Sequence, residues 1–178
     1  GGMRADFKRG SRFTLPEPGV VGFLCVYLDG AGGASGQQRV RMALYRDSNG
    51  TPASKVVDSA PIQFFRDAPA EFRCLEVGST PVPAGDYWIV IHTSGTAGVL
   101  RAYTNGAANW YGGADAFEDG TAESFGPGTA GAGTLSVYGV YLPDSEVRGS
   151  GRFTIGSTPS GGMTANFKRG SSFTLTED

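Results

Sequence analysis

Glycine and proline interrupt this chain so often that a helix of ordinary length has almost nowhere to form. Glycine accounts for 29 of the 178 residues and proline for 10. Between these breakers lie short runs rich in Val, Ile, Phe, Tyr and Thr, which is how an all-β sandwich or barrel reads. The runs predict strands near Ser11–Leu15, Val20–Leu28, Arg39–Tyr45, Lys55–Asp58, Ile62–Phe65, Glu71–Val77, Asp86–Thr93, Val99–Tyr103, Thr134–Leu142 and Gly151–Ile155. In Arg39–Tyr45, Val40, Met42 and Leu44 share one face and the two arginines the other, so this strand is expected to keep one wet side. Val20–Leu28 and Tyr87–Ile91 are apolar on both faces, the pattern of central strands. Asn49-Gly50 supplies the positive φ angles of a tight hairpin. From about Asn105 to Gly133 no strand pattern appears, and this stretch reads as a long loop carrying Trp110, Tyr111, Phe117 and Phe125. Loops of that length in compact domains are uncommon and tend to be functional or disordered, and four aromatics argue against disorder.

Residues 1–15, which run Gly-Gly-Met-Arg-Ala-Asp-Phe-Lys-Arg-Gly-Ser-Arg-Phe-Thr-Leu, return at 161–175 with a constant offset of 160 and no gap. Self-similarity at a fixed period marks a tandem array, and this period is the size of a whole domain. Residues 1–155 therefore read as one β-sandwich repeat module, and 156–178 as a linker plus the first strand of the next repeat. Phe167, Phe173 and Leu175 are the expected assembly residues. That strand would either pack on its own domain or add to the sheet of a neighbouring repeat module by β-augmentation.

The formal net charge is −2, with basic residues scattered among acidic ones. No field exists to draw in nucleic acid. No apolar run approaches the roughly 20 residues that span a bilayer as a helix, so membrane insertion is not expected. Cys25 and Cys74 sit inside apolar strand-like runs. They are read first as buried free thiols, with a disulfide between the two strands as the alternative.

Three segments carry a resemblance: Leu28-Asp29-Gly30 after a long strand, Ala43-Leu44-Tyr45-Arg46-Asp47 followed by Gly50-Thr51-Pro52, and Pro83-Ala84-Gly85-Asp86-Tyr87-Trp88 at the start of a central strand. Together they resemble jelly-roll β-sandwich repeats of large bacterial surface or secreted proteins and of phage or prophage structural proteins, over most of residues 10–142. The resemblance implies an extracellular, cell-surface or virion location. It also implies adhesion, carbohydrate binding or an architectural role, with no catalytic residue set to carry over.

The candidate site residues follow from chemistry. Trp110 and Tyr111, beside Asn109, have the apolar faces and polar edges that cover a sugar ring. Trp88 and His92 share one strand face by period-two spacing and would floor the same groove. Asp115, Glu118 and Asp119 supply hard oxygen ligands in one loop, so calcium is the cofactor to consider. The chain has a single histidine and no nucleophile elbow, which makes catalysis a distant reading. The expectation is a non-catalytic module binding a carbohydrate or cell-surface glycan, and the alternative is a purely structural repeat for spacing or head-to-tail assembly.

Overall fold

The computed structural model describes residues 2–95, 97–102 and 104–144. Among them the chain forms strands β1 (Phe7–Leu15), β2 (Gly19–Asp29), β3 (Gln37–Ser48), β4 (Thr51–Asp58), β5 (Ile62–Phe65), β6 (Glu71–Val82), β7 (Gly85–Thr93), β8 (Arg101–Ala102), β9 (Thr104–Ala114), β10 (Thr129–Leu135) and β11 (Val137–Pro143). They build an antiparallel sandwich. The larger sheet has seven strands in the order β10-β9-β1-β7-β3-β4, with β5 also on β3; the smaller runs β11-β2-β6, with β8 on β2. Leu24, Val26, Leu28, Leu75 and Val77 of the small sheet meet Val40, Met42, Leu44, Tyr87, Ile89 and Ile91 of the large one. Alternation alone selects these residues, because successive side chains point to opposite faces. Among the described residues no helix is long and apolar enough to cross a membrane.

The hairpin at Asn49-Gly50 forms as read, with φ angles of 53° and 80°. Other expectations change. The predicted loop from Asn105 to Gly133 is largely two strands, β9 and β10, paired to each other. Their sequences lack hydrophobic alternation because small residues make room for rings. A side chain at Gly112 would meet the Phe7 ring, one at Gly128 the Tyr111 ring, and one at Gly131 the Trp110 indole. The run predicted as one strand at Thr134–Leu142 breaks at Ser136 and changes sheet. Val99–Tyr103 contracts to two residues within the described part. The predicted strand at 151–155, the linker and the assembly residues Phe167, Phe173 and Leu175 lie outside the described residues.

The cysteines are not free thiols. Cys25 and Cys74 are direct partners in the β2–β6 register and are joined as a disulfide. Their side chains share the outer face of the small sheet as a directly opposed pair, which places the sulfurs in reach of each other.

The arginine face of β3 is wet only at its start: Arg39 keeps 41% of its side chain exposed, whereas Arg41 keeps 14% and Ala43 and Tyr45 are buried. Residues 115–125, between β9 and β10, lie back over the outer face of the large sheet, where Phe117 packs under the Arg41 guanidinium at 4.4 Å and under that of Arg39 at 5.1 Å. The aliphatic stems and flat cations of arginine suit such aromatic cover. Ala43, Tyr45, Trp88, Val90 and Phe125 form a second core beneath this flap. That explains why β7 is apolar on both faces.

Candidate functional site

Strand register assembles a polar row on the flap-covered face. Lys8 of β1 lies opposite His92 of β7, His92 lies opposite Arg41 of β3, and Gly113 of β9 flanks Lys8 on its other side. Two residues beyond Gly113 the chain reaches Asp115, whose Oδ2 sits 3.0 Å from the Lys8 ammonium. Lys8 is only 1% exposed. Its Nζ lies 4.6 Å from the centre of the Phe125 ring and 5.7 Å from that of Tyr45. The backbone N–H of Ala122 also donates to Asp115 Oδ2, at 3.2 Å.

His92 is fully buried in the same cluster. Its Nε2 is 3.0 Å from the Asp115 carbonyl oxygen, and its Nδ1 is 3.3 Å from Thr121 Oγ1. A carbonyl only accepts, so Nε2 carries the proton and Nδ1 offers a lone pair to the threonine hydroxyl. That lone pair is 4.0 Å from Asp115 Oδ2. Burial pushes the His92 pKa below its ordinary value, against the pull of Asp115 and with the push of Arg41 and Lys8. Tyr45 is shifted the other way, upward, first by burial and then by the charges of Asp115, Asp58 and Glu123. It stays a hydroxyl and donates to the Ala122 carbonyl.

The flap is stitched down along its length. Asp6, at a positive φ of 44°, accepts from the Phe117 N–H through Oδ1. Lys55 donates from its backbone to the Glu123 carbonyl and from Nζ to the Thr121 carbonyl, and Phe125 donates to the Ala53 carbonyl.

The residues expected to bind sugar are divided between the two faces of the large sheet. Trp88 is 4% exposed and its indole N–H donates to Asp47 at 2.7 Å. Tyr111 packs on Trp88 and Phe125 beneath the flap. Trp110, one residue away and so on the opposite face, joins the main core and lies under the Arg9 guanidinium at 4.5 Å. Asn109 is exposed. These side chains form no shared platform. The acidic residues of the flap disperse in the same way: Asp115 pairs with Lys8, Glu118 with Arg39 and Glu123 with Lys55, while Asp119 is exposed. Among the described residues no three His, Cys, Asp or Glu side chains converge as a metal site.

No protein-family model, curated protein or solved structure matches the chain.

Two further features emerge only from the fold. A cleft of about 370 Å3 is lined by Phe13, Leu15, Val21, Leu24, Ile89 and Tyr141. On the outer face of the small sheet, Phe23, Phe72, Tyr138, Val140 and Leu142 are each more than 40% exposed. Phe72 meets both Tyr27 and Tyr138 edge to face with ring centres 5.1 Å apart. The register runs Tyr138, Cys25, Cys74 across β11, β2 and β6, so the disulfide continues this row beside Tyr138. The signal was present in the sequence as strands apolar on both faces, a pattern that equally describes burial.

Proposed function

We propose that this chain is a non-catalytic structural repeat, the unit of a tandem array whose repeated segment encodes the central strand of each module. One observation carries the reading. Residues 1–15 and 161–175 differ at three positions, Arg4 against Thr164, Asp6 against Asn166 and Arg12 against Ser172. Arg4, Asp6 and Arg12 are all exposed. Every buried or half-buried residue of the segment, Met3, Ala5, Phe7, Lys8, Arg9, Gly10, Ser11, Phe13 and Leu15, has an identical counterpart at 163–175. A segment under no constraint to be β1 again would not confine its changes to the exposed positions.

The copy therefore has what the slot between β7 and β9 demands. Gly10 admits no side chain, since a Cβ there would lie 2.7 Å from Val90 Cγ2 and 3.0 Å from the Ile89 carbonyl. Ser11 Oγ accepts the Leu135 N–H at 2.9 Å. Gly170 and Ser171 stand at those positions in the copy. The copy is competent to fill the slot in the next module or in a neighbouring chain, which gives head-to-tail assembly by strand addition. The disulfide fits an oxidising, extracellular or surface location.

The test is a chain that begins at Pro16 and keeps residues 161–178. It is expected to fold, and light scattering then distinguishes a monomer that uses its own copy from an oligomer that uses its neighbour's. A chain ending at Ser160 is expected to stay monomeric. Failure of the Pro16 chain to fold overturns the reading.

The exposed rings favour a second reading, surface binding. Phe23, Phe72 and Tyr138 present a flat aromatic face of the kind that covers sugar rings. Loss of retention on immobilised polysaccharide when Phe72 and Tyr138 become alanine, with the fold intact, would establish it; unchanged retention or none at all removes it.

A further inference from the structure

We propose that Lys8 and Asp115 form a self-modification site, where the lysine amine and the aspartate carboxyl condense to an intramolecular amide that ties β1 to the flap. The inference does not rest on the array reading. Its starting point is an arrangement that an ordinary structural ion pair does not need. The two charged groups are 1% and 13% exposed and stand 3.0 Å apart. Around the ammonium are the rings of Phe125 and Tyr45. Burying two ions in such surroundings is costly, and their mutual attraction repays it poorly. Condensation removes both charges and releases a water molecule from a nearly closed site.

The geometry supplies what the reaction requires. The amine is held 3.0 Å from Oδ2, the oxygen bonded to the carboxyl carbon, so much of the entropy of bringing the groups together has already been met. The Ala122 N–H donates to Oδ2, the oxygen that leaves, and so fixes the carboxyl with that oxygen turned to the amine. The lone pair of His92 Nδ1 stands 4.0 Å from the same oxygen, and its Nε2–H is committed to the Asp115 carbonyl.

The step balances within these groups. A proton moves from Lys8 Nζ to Asp115 Oδ2, which leaves a neutral amine beside a carboxylic acid. The amine lone pair forms the Nζ–Cγ bond, and the Cγ–Oδ1 electrons move onto Oδ1. His92 Nδ1 takes the second proton from Nζ and returns it to the Oδ2 hydroxyl. The Cγ–Oδ2 bond then breaks, Oδ2 leaves as water, and Oδ1 re-forms the carbonyl. No oxidant, reductant or further reactant enters.

The experiment is the intact mass of the full chain, folded and then reduced and denatured. The expected mass is one water below that of the reduced sequence, and proteolysis should give one branched peptide joining the Lys8 and Asp115 segments. Lys8→Arg should restore the full mass. Asp115→Asn should form the same amide with loss of ammonia, which identifies the leaving group. His92→Gln should slow formation by about 100-fold, in line with the loss of a positioned general base. A folded wild-type chain at full sequence mass overturns the proposal, whatever the variants do. So does a one-water deficit that maps to a cyclic imide at Asp29-Gly30 while the Lys8 peptide remains linear.

Discussion

Burial decides the chemistry of the single histidine. Desolvation lowers the pKa of His92 below its ordinary 6.5, although its hydrogen bond to the Asp115 carbonyl and the Asp115 charge oppose the shift. The folded chain thus holds fewer protons on His92 than the unfolded chain below that pH, and stability must fall as acid is added. The contribution is complete above about pH 6.5 and drains at up to about 1.4 kcal/mol per pH unit beneath it. Urea midpoints taken from about pH 7.5 down to about pH 5.5 should show this slope, and His92→Gln should flatten it. An unchanged slope in the variant would mean that His92 is not the proton acceptor. At Cys25 and Cys74 the argument is different, because the bond acts mainly on the unfolded chain. It closes a loop spanning 49 residues, so the double alanine variant should lose about 2–4 kcal/mol. Thermal melting should report this as a Tm drop on the order of 10 °C. A melting point unmoved by either substitution or reductant would show the bridge to be absent in solution.

At the scale of elements the flap is the part that single-residue patterns conceal. Its anchors are Phe117 and Phe125, both essentially fully buried, which read in the sequence as aromatics of a glycine-rich loop. Phe125→Ala removes contacts to Tyr45 and Tyr111 and should cost about 3–5 kcal/mol. Hydrogen exchange should quicken at the amides of Phe117, Ala122 and Phe125 while those of β2 and β6 keep their protection. Uniform loss across both sheets would show that the flap is not a separate unit. An alternating strand such as β3 and a continuous apolar run such as β7 were both legible from the sequence, and so was β5 to the residue. β9 was not, because its stability comes from pairing with β1 and β10 and from rings seated on glycines of other strands. The same limit applies to the residues expected to bind sugar. Period two correctly put Trp88 and His92 on one face of β7, but nothing local announced that the flap would close over that face. Nor could spacing show that Trp110 and Tyr111, adjacent in sequence, would enter different cores.

At the scale of the molecule, two facts about the first fifteen residues meet. Nine of them, Phe7–Leu15, form an inner strand of the larger sheet, and all fifteen are the residues that the chain repeats. Repetition was visible in the sequence; the central position was not, since a terminal strand is as easily an edge. If 161–175 is another β1, then writing its residues into the first copy should be nearly harmless. Arg4→Thr gives up an exposed cation over the Phe7 ring at 5.0 Å, worth about 0.5–1 kcal/mol. Asp6→Asn keeps an oxygen for the Phe117 N–H and a residue type that tolerates positive φ. Arg12→Ser gives up an exposed pair with Asp86, worth about 0–1 kcal/mol, and one with Asp47, whose buried carboxylate keeps its bonds from the Trp88 indole and the Gly50 N–H. The triple variant should therefore lose about 1–3 kcal/mol and retain one cooperative transition. Gly10→Val, a single change at a position where the copies agree, drives a branched side chain into Val90 and the Ile89 carbonyl and should cost about 3 kcal/mol or more. Denaturant unfolding of the two variants ranks them directly. If three substitutions at the exposed positions prove worse than one at the buried glycine, the second copy does not encode a β1, and the array must be held together by something other than this strand.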